Sequence, residues 1–222
     1  MTIRGVVSRT FVLLALVAAS AAFSWRACAQ ELALATPLTF GGALVGFVLA
    51  MVTSFKPAWS RVLAPVYAVA EGLFIGAVSV LFEQRFHGIV VQTVCLTFSV
   101  MFVLLAGYQS GLIRVSQTFR SVIVAATAGI VLLYLGNMVF AMFSHQSFGF
   151  LQSAGPMGIG FSLLVAAVAA LNLVLDFDFI DQGVQARAPQ WMEWYGAFAL
   201  TVTLVWLYLE ILRLLAKLRR ND

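Results

Sequence analysis

Seven long stretches of apolar residues account for most of this 222-residue chain. A helix that crosses a bilayer needs roughly 20 mostly apolar residues to span about 30 Å of hydrocarbon. Ordinary soluble domains carry roughly a quarter charged residues, whereas this chain is 62% hydrophobic and only 10% charged. Such a chain could not hide its apolar side chains from water. The sequence therefore predicts an all-α, polytopic membrane protein that is embedded in a lipid bilayer.

The predicted membrane spans are joined by short connections, so we expect a single integral membrane domain over residues 1–222 and no extramembrane domain. Each span is a stretch of about 20 or more mostly apolar residues, as a bilayer crossing requires. The predicted spans cover residues 7–25, 37–55, 62–82, 89–108, 121–143, 155–180 and 195–218.

The distribution of basic residues predicts that the N-terminus is cytoplasmic. Arginine and lysine near the ends of membrane helices favour the cytoplasmic side. With the N-terminus inside, the first three outer loops hold only Arg26 and Arg85. The inner segments hold many more basic residues, namely Arg4, Arg9, Lys56, Arg61, Arg114, Arg120 and Arg187.

The basic C-terminal tail conflicts with this orientation. Seven spans would place the C-terminus outside, yet four basic residues lie near it: Arg213, Lys217, Arg219 and Arg220. Either the tail tolerates its charge outside, or the last apolar stretch is irregular or re-entrant and ends inside. The two alternatives predict different sides for the C-terminus.

The first span also has features of a secretory signal peptide. Basic residues precede an apolar stretch, and the small residues around Cys28 resemble a cleavage site. Trp25 and Arg26 are unusual beside such a site, whereas tryptophan is a common anchor at the membrane interface. A membrane span is the favoured interpretation, and cleavage stays an alternative.

Motifs for catalysis or nucleic-acid binding are not evident. The net charge of +4 could suggest a polyanionic partner, but the basic residues lie singly or in pairs beside helix ends. The sequence contains no HExxH, GxSxG or GxxxxGK[ST] motif. Its two cysteines, Cys28 and Cys95, indicate neither a disulfide framework nor a metal site. We therefore predict no enzyme, no bound cofactor and no nucleic-acid partner.

Acidic residues inside the apolar stretches are the candidate functional residues, since each charged group costs at least ~2.5–3.5 kcal/mol to insert. Glu71 lies in the middle of the third span and Asp176 lies deep in the sixth. For both, the alternative is a buried carboxyl that is hydrogen-bonded to a neighbouring helix for packing. Glu71 also precedes Gly72-x-x-x-Gly76, a spacing that favours close helix approach and is interpreted as packing.

Three further acids, Asp178, Asp181 and Glu210, are also candidates, and each has a structural alternative. Asp178 diverges from Asp176 by about 200° around a helix, so the two cannot face one partner. Asp178 shares a face with Asp181 near the helix end, where both could be solvated. Glu210 lies one turn before Arg213, close enough for an ion pair that only anchors the helix end.

Three segments resemble the Bax inhibitor-1 family, and most closely its bacterial branch. They are PVYAVAEGLF at 65–74, LDFDFI at 175–180 and LYLEIL at 207–212. The last two are similar to aspartate-containing segments in the sixth and seventh helices of the family. The resemblance covers nearly the whole chain. It implies a seven-helix fold whose last helix is surrounded by the other six, in a bacterial cytoplasmic membrane.

The resemblance also implies a function. In the family, an acidic pair on the last two helices is taken as a pH sensor that governs a calcium-permeable leak, and the matching residues are Asp176 and Glu210. Two carboxyls in one dry interior can share a proton, and their oxygens are suitable transient ligands for Ca²⁺. Glu71 is a candidate pathway acid, and Asp178 and Arg213 are candidate modulators.

Departures from the family pattern keep two alternatives open. Much of the family has aspartate where this chain has Glu210, and Arg213 could hold Glu210 ionised. Some bacterial relatives bind and restrain the membrane-bound FtsH protease, so a non-conducting regulatory protein with such a partner is the first alternative. A proton-coupled transporter is the second, although no inverted repeat supports it. The oligomeric state is not predicted.

Overall fold

All long elements in the described part of the chain are α-helices. The computed structural model describes residues 1–144, 149 and 153–220. In this part, seven helices are long and apolar enough to cross a membrane, which confirms the predicted all-α class and the seven spans. They are α1 (Ile3–Gln30), α2 (Ala35–Phe55), α3 (Ser60–Arg85), α4 (Ile89–Gln109), α5 (Gln117–Ser144), α6 (Pro156–Gln185) and α7 (Met192–Arg219).

Most of the helices extend beyond the predicted spans because polar residues continue the helical hydrogen bonding past the apolar stretch. Thus α3 ends at Arg85 and α6 at Gln185. Short 3₁₀ turns, Leu32–Leu34 and Pro57–Trp59, precede α2 and α3. The last helix has the largest buried share of the seven, 56% of its most apolar 18 residues. That it is surrounded by the other six helices stays a prediction.

The last helix is one continuous α-helix from Met192 to Arg219, so of the two alternatives for this segment an irregular last stretch is wrong. The basic residues of its final turns are bonded within the protein. Lys217 Nζ donates to Gly158 O at 3.0 Å and to Ser162 Oγ at 2.7 Å, and Arg219 donates to Gln92 Oε1 at 2.8 Å. These bonds favour the alternative in which the C-terminal tail tolerates its positive charge, because protein groups accept hydrogen bonds from its basic side chains. The side of the membrane on which the tail ends stays a prediction.

The helices fall into two compact units. The first contains Met1–Val90 and Asp176–Val205, and the second contains Val91–Leu175 and Trp206–Asp222. Both α6 and α7 contribute one part to each unit. That the chain forms a single membrane domain stays a prediction.

In the first unit, α3 packs closely against α1 and α2. A Cβ atom on Gly72 would overlap the backbone of Val17, and one on Gly76 would overlap the backbone of Ala21. Across the same contact, Ser24 Oγ donates to Leu73 O at 2.8 Å. The predicted packing role of the glycine pair is therefore confirmed, and α1 is its partner.

In the second unit, parts of α5, α6 and α7 share an apolar core. Ile130, Val165 and Val168 are buried together, and Tyr134 and Trp206 are among the partly buried side chains that pack on them. A polar contact within the same unit joins α5 to α6, because the Asn172 amide donates to Thr127 Oγ1 at 2.8 Å. Asn172 also donates to Val168 O at 2.9 Å, so its amide group is satisfied.

Candidate functional site

Asp176 combines a partly exposed side chain with one buried, unpartnered oxygen. Its neighbour across the first unit is Thr203 on α7, whose side chain forms a hydrogen bond with the carboxyl group. Asp176 Oδ2 is inaccessible to solvent and has no hydrogen-bond partner among the described residues. A buried carboxylate oxygen without a partner is costly. Asp176 therefore differs from an acid that is fully used for packing.

The two aspartates that follow lie in a more polar setting. Gln182 donates to Asp178 Oδ2 at 2.6 Å, and Gln185 donates to Asp181 Oδ2 at 2.8 Å. Both bonds connect residues one helical turn apart and are exposed. This arrangement favours the solvated interpretation of both residues. The role of Asp178 as a modulator stays a prediction.

Glu210 is almost fully buried and is held by two partners. Its side chain is 1% exposed and accepts a hydrogen bond from Arg213 Nη1 at 2.8 Å. The Tyr134 hydroxyl donates to the same carboxylate oxygen at 3.2 Å, and the Arg213 guanidinium lies 5.6 Å from the Tyr134 ring centroid. The predicted ion pair is confirmed. Because Arg213 is 47% exposed, it can carry its charge toward a more polar region while keeping this bond.

Asp176 and Glu210 belong to different units, so their pairing stays a prediction. Each has its own contacts. Asp176 bonds to Thr203 in the first unit, and Glu210 bonds to Arg213 and Tyr134 in the second. The tyrosine on α5 was not predicted from the sequence, since no local pattern links it to the last helix.

Glu71 occupies a buried position against α2. It is 9% exposed, it shares a side-chain hydrogen bond with Tyr67 one turn earlier, and its Oε2 atom has no partner within the described residues. A Cβ atom on Gly46 would come within 2.6 Å of Glu71 Oε1. The missing side chain at Gly46 therefore creates the space that the carboxyl group occupies. Gly42, one turn earlier, faces the backbone of α3 at Phe74 in the same way.

The sequence could have revealed this contact, because Gly42 and Gly46 have the spacing that was recognised in α3. Glu193, which is 3% exposed, was also missed. It forms an ion pair with Arg9, and it accepts hydrogen bonds from Thr2 N at 2.8 Å and Thr2 Oγ1 at 3.1 Å. It lies in the first turn of α7, where the helix dipole favours a negative charge.

The described residues contain no group of three or more His, Cys, Asp or Glu side chains that could hold a metal ion. Calcium in proteins takes six to eight oxygen ligands. Binding of Ca²⁺ by Asp176 or Glu210 stays a prediction.

Comparison with known proteins gives one finding that bears on the three recognised segments. No curated protein and no solved structure matches the chain. A family model described as "Bax inhibitor 1 like" matches residues 1–220 and thus includes all seven helices, with Asp176 and Glu210. With nearly every residue inside this match, the chain belongs to the Bax inhibitor-1-like family.

Proposed function

We propose that this membrane protein is a proton-sensitive cation leak, with calcium as the permeating ion and with Asp176 and Glu210 as its gating groups. The observation that carries the proposal is the Oδ2 atom of Asp176, which is buried in an apolar helix and has no hydrogen-bond partner among the described residues. Membership of the Bax inhibitor-1-like family supports it. A carboxyl group in such a position is costly to keep, and acids of this kind mark ion or proton pathways in membrane proteins.

Asp176 is the group that changes protonation in this proposal. An ionised carboxyl only accepts hydrogen bonds, whereas a protonated one also donates. Protonation therefore changes the bond with Thr203 and, with it, the preferred packing of α6 on α7. Such a local change can shift the balance between a closed and an open arrangement of helices.

Glu210 is held in place by Arg213 and Tyr134, which both donate hydrogen bonds to its carboxyl group. Thr203 precedes Glu210 by seven residues in α7, which is two helical turns. In this proposal, Asp176 acts on α7 through Thr203, and Glu210 is part of α7. The two acids therefore both affect the packing of α7 without sharing a proton. Glu71 is the proposed pathway acid, because its Oε2 atom is buried and unpartnered. Asp178 and Arg213 are proposed modulators.

The test is calcium flux into liposomes that contain the purified protein, measured from mildly acidic to mildly alkaline pH. We expect the native flux to change by about fivefold or more over this range, which corresponds to a coupling of ~1 kcal/mol. Asp176→Asn removes the response, and Glu210→Gln alters the flux at every pH. The matched control is Asp181→Asn on the same helix, whose side chain bonds only at an exposed position and whose flux should follow the native profile.

Native pH profiles in both Asp176→Asn and Glu210→Gln would overturn the gating proposal. Absence of flux in every preparation would overturn the leak itself. If the protein were also crosslinked to a membrane protease such as FtsH in cells, that result would favour a non-conducting regulatory protein.

A further inference from the structure

A cavity of about 290 Å³ lies in the first unit, where α1, α3 and α7 begin. Its lining residues are Arg9, Arg61, Gln190, Trp191 and Trp194. Ser60 Oγ donates to Trp191 O at 3.2 Å, which fixes the start of α3 against the segment that leads into α7. The volume is at the small end for ligand cavities. It suits a compact polar group rather than a complete large ligand.

The two guanidinium groups give the cavity a net positive charge. Arg9 pairs with Glu193, and its Nε atom is buried without a hydrogen-bond partner in the described chain. Arg61 is exposed and forms no ion pair with any described acid. Two arginines and one carboxylate leave one positive charge. A singly charged phosphate diester would neutralise it, and guanidinium groups bind such oxygens through parallel hydrogen bonds.

The surroundings of the cavity have the composition of a membrane interface. Tryptophan is enriched where a helix leaves the hydrocarbon. The Arg9 guanidinium lies 5.5 Å from the Trp194 ring centroid, and Lys56 Nζ lies 4.5 Å from the Trp59 ring centroid, in the segment before Arg61.

Apolar side chains are exposed on the same helix ends. The first two turns of α1 expose Ile3 and Val7, and the start of α3 exposes Val62 beside Arg61. These surfaces can receive acyl chains from a lipid whose headgroup enters the cavity. A soluble phosphate compound gains nothing from them.

We propose that this cavity binds the headgroup of an anionic phospholipid. Arg61 holds the phosphate diester beside the Arg9 guanidinium that lines the cavity. Trp191 and Trp194 pack on the glycerol, and the acyl chains lie along the apolar starts of α1 and α3. The site is independent of the proposed leak, because it uses none of the gating acids.

The experiment measures quenching of tryptophan fluorescence by brominated phosphatidylglycerol in bilayers of phosphatidylcholine. The variants are Arg61→Gln and a matched control, Arg4→Gln, which removes an exposed charge from the first turns of α1 outside the cavity lining. We expect the native protein and Arg4→Gln to select phosphatidylglycerol about fivefold or more, equivalent to ~1 kcal/mol. Arg61→Gln should show a ratio near one, with unchanged thermal unfolding.

The proposal would be overturned by an absence of selectivity in the native protein. It would also be overturned by an equal loss in Arg61→Gln and Arg4→Gln, which would indicate an effect of general surface charge. A competition arm separates lipid from soluble ligands. Inorganic phosphate or glycerol 3-phosphate, added at constant ionic strength, should leave the quenching unchanged. Relief of quenching by either would assign the cavity to soluble phosphate compounds and overturn the lipid assignment.

Discussion

Four acids in the described part of the chain, each with at least one buried carboxyl oxygen, are of two kinds. Glu193 and Glu210 each have an arginine partner and further hydrogen bonds, in the first turn of α7 and in its second half, respectively. Glu71 and Asp176 each have one hydrogen-bond partner and one buried oxygen without any, and no described cation pairs with them.

The difference separates carboxyl groups that are stabilised by a cation from carboxyl groups that are not. A paired acid is stabilised as the ion, and removing its partner leaves an uncompensated buried charge. An unpaired acid has no ion pair to break when it takes up or loses a proton. We therefore expect the paired acids to contribute to stability and the unpaired acids to contribute to the response to pH.

The largest expected effect is on the Glu193 pair. Arg9→Gln leaves the buried Glu193 carboxylate with only its Thr2 hydrogen bonds, and we expect a loss of about 3 kcal/mol in the free energy of unfolding. Thermal or SDS-induced unfolding in micelles would measure it. Arg4→Gln, an exposed change on the same helix, should stay within about 0.5 kcal/mol of the native protein. Equal stability of the two variants would show that the Arg9–Glu193 pair is not structural.

A smaller loss is expected at the second pair. Arg213→Gln removes the cation from Glu210, but the Tyr134 hydrogen bond remains and Arg213 is itself half-exposed. We expect about 2 kcal/mol of destabilisation, typical of a buried charged group that loses its main partner. Arg220→Gln, an exposed change just after α7, is the control. If Arg213→Gln unfolded at the native temperature, Glu210 would have to be counted with the unpaired acids.

The membrane class and the seven spans could be predicted from sequence because length and apolarity alone decide them. The ion pair of Glu210 with Arg213 was equally predictable, since both residues lie one turn apart in one helix. The close contact at Gly72 and Gly76 was predicted as packing, but its partner could not be named because the spacing does not say which helix approaches.

Contacts between distant segments were missed. Tyr134 meets Glu210, and Thr203 meets Asp176, only because the helices pack together in the folded protein. The spacing of residues along one helix does not predict such contacts. Glu193 was missed because the last span was predicted to begin at residue 195, so a residue of the first helical turn was treated as part of a loop. The pairing of Asp176 with Glu210 came from resemblance alone and stays a prediction.

The space beside Gly46 allows a test of the position of Glu71, one of the two acids without a cation partner. Gly46→Ala places a methyl group 2.6 Å from Glu71 Oε1, so the carboxyl group must move, at a cost of about 1 kcal/mol. Gly41→Ala is the matched control on α2, because a Cβ atom there meets nothing within 4 Å, and higher helix propensity should make it slightly stabilising. If Gly46→Ala had a free energy of unfolding equal to or higher than that of Gly41→Ala, Glu71 would not occupy this space.

The smallest expected effect on stability is at Asp176. Asp176→Asn keeps the shape of the side chain and removes a charge that no cation balances, so the free energy of unfolding should change by less than about 1 kcal/mol in either direction. Glu210→Gln, an equally conservative change, should lower the free energy of unfolding more, because it removes the ion pair with Arg213.

If Asp176→Asn lowered the free energy of unfolding as much as Arg213→Gln does, Asp176 would belong with the acids that stabilise the fold. If instead stability is kept while the pH response of calcium flux disappears, packing cannot explain why an acid lies there. The unpartnered oxygen would then be unfavourable for stability but required, because the carboxyl group must exchange its proton.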